Sequence, residues 1–131
     1  MKQNSHRPIR TAVYTRSATD HGLDAQLANI HGLITRMPKQ GQKWIVKHTL
    51  VDARKSGFTT DRPAYQELLK LVRSGKIDAV AVDRIECISR LVAAYFNLVR
   101  ELDGHGVKLV SREGVRDPIV YRRKAEKRRI C

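Results

Sequence analysis

The residues most suited to chemistry lie in three arginine-bearing stretches, each following an apolar run. "RSATD" (16–20) follows "TAVYT", "ARKSGFTTDRP" (53–63) follows "KWIVKHTLVD", and "RIECISR" (84–90) follows "IDAVAVD". Together they hold Arg16, Arg54, Lys55, Arg62, Arg84 and Arg90, with the hydroxyls of Ser17 and Thr19 close to the first. Guanidinium groups grip phosphate oxygens in bidentate pairs and stabilise charge building on a phosphoryl centre. Such a cluster beside a strand-end hydroxyl suits a phosphodiester. The competing reading is a set of scattered, solvated surface arginines.

These stretches meet only if the intervening segments fold as alternating strands and helices. "LDAQLANIHGLITRM" (23–37) places Leu23, Leu27, Ile30, Ile34 and Met37 at helical spacing, and Pro38 helps end it. "AYQELLKLVRSGK" (64–76) carries the stripe Tyr65, Leu68, Leu69 and Val72, with Gly75 as its stop. "ISRLVAAYFNLVRELDGHG" (88–106) reads as a third helix, and "VKLVS" (107–111) as a fourth strand. The β-α-β-α-β-α-β order predicts an α/β fold. We expect three layers, with a mostly parallel sheet of four or slightly more strands and helices on both faces. Ligand sites in such sheets gather at the carboxyl ends of strands, which puts all three polar stretches on one rim.

The chain has 131 residues, enough for one core. Its formal net charge is +13. Residues 1–10 read as a basic N-terminal segment, 11–111 as the folded domain, and 112–131 as a basic, mobile C-terminal tail. The tail's Arg122, Arg123, Lys124, Lys127, Arg128 and Arg129, with Arg54, Lys55 and Arg84, are candidate contacts for a nucleic-acid backbone. The expected partner is double-stranded DNA, held by phosphate contacts. No apolar run predicts a membrane span or a secretory signal, so a cytoplasmic, nucleoid-associated location is expected.

No metal and no cofactor are expected. His6, His21, His31, His48 and His105 show no ligand spacing, and Cys87 and Cys131 form no metal or redox motif. Trp44 and Tyr95 read as core or rim aromatics. Asp52, just after the second strand, reads either as a rim carboxylate orienting an arginine or as a strand-end cap.

Four ordered pieces resemble the catalytic domain of the serine recombinases, the resolvase/invertase family, over about residues 9–112. They are "AVYTRSATD" with "LDAQL", "SGFTTDRPAYQELL", "GKIDAVAVDRIECISR" and "LDGHGVKLVS". The resemblance implies DNA recombination and integration of the kind mobile elements use. A serine hydroxyl attacks a DNA phosphodiester and forms a 5′-phosphoserine link without a metal, and arginines hold the phosphate. By motif match, Arg16, Arg62 and Arg90 correspond to family arginines, and Gln26, Asp61 and Ser89 to supporting residues. Glu86 stands where the family has aspartate.

Two positions break the pattern. Ala18 occupies the nucleophile's place, and Cys87 that of a phosphate-binding arginine. Ser17 and Thr19 are alternative nucleophiles, each offset by one residue. Family members continue into a long dimerising helix and a DNA-binding region. The length of this chain leaves no room for either, so synapsis by the usual route is not expected. The sequence therefore predicts a catalytically degenerate DNA-binding domain. The alternatives are an atypical active recombinase using Ser17, Thr19 or a partner's serine, and a protein-interaction module that pairs with a full-length recombinase or weakly with itself.

Overall fold

A computed structural model of the chain describes residues 7–17, 22–36, 43–53, 62–89 and 91–119. Its elements run β1 (Ile9–Ser17), α1 (Leu23–Thr35), β2 (Trp44–Ala53), α2 (Pro63–Arg73), β3 (Ala79–Ala81), α3 (Val92–Gly104), β4 (Lys108–Ser111) and β5 (Gly114–Arg116). One five-stranded sheet has the order β2-β1-β3-β4-β5. The first four strands are parallel, and β5 returns antiparallel to β4.

Alternation along β1 assigns the helices to their layers. Ala12 and Tyr14 join the core cluster that includes Tyr65, Leu68 and Val72 of α2 and Leu98 and Leu102 of α3. Val13 points the other way, to a smaller cluster with Ile30 of α1, Ala81 and Val110. β3 is buried at all three residues, as a strand covered on both faces must be. The predicted stripes hold, with one change: Leu71 is buried in α2 while Leu69 is only half-buried.

The third helix, predicted from residue 88, begins only at Val92. Residues Ile85–Cys87 form a separate 3₁₀ turn before it. The turn lets the chain leave β3, cross the rim and then descend over the sheet.

β2 carries a bulge. Thr11 faces Val46 and the next residue, Ala12, faces His48, so Lys47 has no partner on β1. An extra residue reverses which face each later side chain takes. Trp44 and Val46 therefore pack toward α1, whereas Leu50 packs with the α2 and α3 cluster. Asp52 follows Leu50 to the α2 side. The sequence shows one continuous strand there and conceals the switch.

Both ends of the domain extend past the predicted limits. β1 begins at Ile9, inside the segment read as an N-terminal extension. Arg10 forks onto the Asp78 carboxylate at 2.9 Å through both Nε and Nη2, joining the starts of β1 and β3. At the other end, β5 and the residues up to Ile119 belong to the fold rather than to a tail. The Asp103 side chain, 2% exposed, accepts from Arg116 Nη1 (2.7 Å), Arg116 Nη2 (2.9 Å) and the Ile119 amide (3.0 Å). The remainder of the tail, with Arg122, Arg123, Lys124, Lys127, Arg128 and Arg129, lies outside the described residues.

The Arg116 fork, opposed by burial and aided by the Ile119 amide, holds the Asp103 carboxyl below its ordinary range. A depressed carboxylate stabilises the fold above its unfolded pKa, about 3.9, and that stabilisation is lost as pH falls through the lower folded value. Arg116→Ala should cost about 1–3 kcal/mol at pH 7, because it strips a buried carboxylate of its charged partner. In urea melts the gap between variant and wild type should narrow as pH falls below the ordinary carboxylate range and the Asp103 carboxylate is protonated.

Candidate active site at the carboxyl ends of the strands

β2 lies on one side of β1 and β3 on the other, so the chain switches direction between β1 and β3. The crevice at such a point is the usual ligand site of an open α/β sheet. Two arginines anchor the rim here, and both are turned inward.

Arg16, near the end of β1, is 7% exposed. Its Nε donates to the Cys87 carbonyl at 3.0 Å and its Nη2 to the Glu86 carbonyl at 3.1 Å. The first motif thus grips the backbone of the third. On α1, Gln26 Nε2 donates to the Arg16 carbonyl at 3.0 Å, fixing the same residue from the other side. The Gln26 Oε1 and Thr15 Oγ1 atoms are buried without a hydrogen-bond partner among the described residues.

Arg62 is fully buried. Its guanidinium stacks 4.6 Å from the Tyr65 ring centroid, and Nη1 donates to the Tyr14 hydroxyl at 2.9 Å. Tyr14 in turn donates to Asp52 Oδ2 at 2.8 Å. Burial, against the opposing pull of Arg62, raises the Tyr14 phenol far above its ordinary range and keeps it a protonated relay. Asp52 also accepts the amides of Ala64 (2.9 Å, Oδ1) and Tyr65 (3.0 Å, Oδ2) in the first turn of α2. The reading of Asp52 as a carboxylate that orients an arginine holds through Tyr14, which links it to Arg62. Its capping contacts go to the start of α2, beside Pro63, rather than to the end of its own strand.

The 83–89 loop is held from a third side by residues that the sequence did not single out. Asp83 accepts Arg112 Nε at 2.7 Å, and Glu113 Oε1 accepts the Ile85 amide at 3.2 Å. Asn29 of α1 reaches Asp83 at 3.3 Å. The only sequence signal was the charged "REG" between β4 and β5, which reads equally well as a solvated turn. Ser89 is buried, and its hydroxyl accepts the Leu91 amide at 3.0 Å, steering the chain into α3.

The expected cationic rim is thus balanced among the described residues. Arg16, Arg62, Arg84 and Arg112 share it with Asp52, Asp83, Glu86 and Glu113. Arg84 and Glu86 are exposed. Ala18, Thr19, Arg54, Lys55, Asp61 and Arg90 lie outside the described residues. No group of three or more metal-ligating side chains occurs among those described.

Cys87 is half-buried in the 3₁₀ turn, and burial pushes its thiol above the ordinary range. It is a neutral group at neutral pH. In a Cys131→Ser background, Cys87 should react with a disulfide reagent at pH 7.5 at least about tenfold more slowly than a free cysteine peptide. Denaturant should remove the difference.

The family model described as "Resolvase, N terminal domain" matches residues 11–128. The fold is similar to the N-terminal catalytic domain of TP901-1 integrase, with a TM-score of 0.69 and 27% identity over 78% of this chain and 76% of that one. It is similar also to the C-terminal catalytic domain of ISC1926 TnpA, an IS607-like serine recombinase (TM-score 0.63, 25% identity, 77% and 68% covered). A resolvase family site-specific recombinase from Streptococcus pneumoniae shares the fold at 22% identity, with a TM-score of 0.64 over 93% and 91% of the two chains. Comparison with curated proteins finds no match. The strand order, the rim and the family match agree: this chain belongs to the resolvase family and has the fold of a serine recombinase catalytic domain.

Proposed function

We propose that this domain binds duplex DNA through phosphate contacts and does not cleave it. The observation that carries the reading is Cys87. At the place of a phosphate-binding arginine stands a half-buried, protonated thiol, and its own carbonyl occupies Arg16. A neutral thiol cannot stabilise the charge of a pentacoordinate phosphorus. Ala18 adds the loss of the attacking oxygen, and groups that act as a unit fail together.

Ser17 is a poor replacement. The alternation of β1 assigns Ser17 to the strand face opposite that of Arg16. Thr19 is offset and β-branched. Binding is a separate matter from cleavage. The net charge of +13 favours a polyanion, with Arg54, Lys55, Arg84 and the basic residues of 122–129 as its contacts. Arg16, Arg62, Glu86, Arg90, Gln26, Asp61 and Ser89 remain as the frame of the family's site. A cytoplasmic, nucleoid-associated location follows from this reading.

Duplex binding should weaken linearly in log K against log salt, and a suicide substrate should trap no covalent adduct. Ala18→Ser combined with Cys87→Arg should restore a trappable adduct, whereas either change alone should not. Absence of duplex binding at low salt would sink the DNA reading. An adduct on the wild-type chain would refute the loss of cleavage, and Ser17→Ala and Thr19→Ala would then locate the nucleophile.

A second reading, docking onto a full-length recombinase or a second copy, is favoured by a groove of about 610 Å³ beside the first turns of α3. Val92 and Phe96 stand 70% and 57% exposed there, next to Leu91 and Tyr95. Exposed apolar surface of this kind marks partner sites. If self-association uses it, Val92→Asp with Phe96→Asp should abolish any dimer seen by sedimentation and leave the melting temperature within a few degrees.

A further inference from the structure

A second groove, of about 500 Å³, lies between α2 and α3 on the outer surface. Leu69 and the edge of the buried Tyr65 line its apolar part. Its polar side chains come from both helices and are mostly donors.

Arg73, in the last turn of α2, forks onto Glu101 of α3 through Nε (3.1 Å) and Nη2 (2.9 Å). That pair neutralises the groove's one carboxylate, fixes the plane of the guanidinium and leaves Nη1 outside the fork. Arg100 lines the same groove and has no ion pair or hydrogen bond among the described residues. His105, just past α3, lies 2.9 Å through Nδ1 from the Glu101 carbonyl. A carbonyl only accepts, so Nδ1 carries the proton and the ring is held in one orientation. The Asn97 amide completes the wall.

The balance is one uncompensated guanidinium, a second guanidinium with a spare nitrogen, and amide donors, around a cavity of ligand size. We propose that this groove is an anion site for a phosphate group, separate from the rim, and that in the full chain it takes a phosphodiester of bound duplex DNA. The DNA part rests on the function proposed above. The groove's affinity for phosphate does not.

The test has two arms, each on the whole chain. In the first, inorganic pyrophosphate is titrated while backbone amides are followed by NMR. Saturable shifts should cluster in residues 66–73 and 97–105 and vanish in Arg100→Glu. In the second, duplex binding is measured against salt for wild type, Arg100→Glu and Lys76→Glu. Lys76 is exposed in the turn after α2, outside the groove, and controls for net charge. Arg100→Glu should weaken binding about five- to tenfold at 100 mM salt and lower the salt slope by about one, with Lys76→Glu within about twofold of wild type.

Pyrophosphate shifts that are absent, or that persist in Arg100→Glu, overturn the groove. Equal losses in Arg100→Glu and Lys76→Glu overturn its role in DNA contact. Saturation by pyrophosphate with no duplex binding by any variant overturns the DNA reading of the chain and keeps the groove as a site for a small phosphorylated ligand.

Discussion

The Asp52 carboxylate joins three elements that are otherwise separate. It closes β2, caps the first turn of α2 through two amides, and takes the Tyr14 hydroxyl from β1. Arg62 closes the set by donating to Tyr14 and stacking on Tyr65. A buried carboxylate and a buried guanidinium would each be costly alone. Here the phenol between them hydrogen-bonds to both while keeping them apart. The unpaired Lys47 makes this geometry accessible, because one residue fewer in β2 would turn Asp52 to the α1 face.

The same economy governs the rim. Arg16 and Arg62 sit where the family motifs place them, yet both spend hydrogen bonds on the protein itself. Arg16 binds the carbonyls of the turn that carries Cys87, and Arg62 holds a tyrosine. Their positive charge is therefore part of what positions the loops. The fold itself gives a reason to keep these arginines, since removing either would leave buried acceptors without donors.

Much of the architecture was legible in the residues. Apolar runs marked the strands, three- and four-residue spacing marked the helices, and their alternation implied a parallel sheet with a functional rim. The predicted topology brought the polar stretches holding Arg16, Arg62, Cys87 and Ser89 to one rim of the sheet. The reading failed where the outcome depended on partners distant in sequence. The third helix is expected from residue 88 but starts at Val92, because the preceding loop backbone is captured by Arg16 and Glu113 and forms a 3₁₀ turn at Ile85–Cys87. "GVR" looked like part of a tail, but it completes the sheet because Asp103, thirteen residues upstream of Arg116, holds that side chain.

Alone, the sequence determined the family and the layer order, because periodicity and residue identity are local properties of the chain. The tertiary structure decided which charges are spent and which are available. Arg16 and Arg62 are engaged within the fold, while Arg100 has no such partner. The distinction arises from register, since a single bulge in β2 and a single hairpin after β4 set which side chains meet across the sheet. No local pattern encodes such meetings, because each is settled by the packing of elements far apart in the chain.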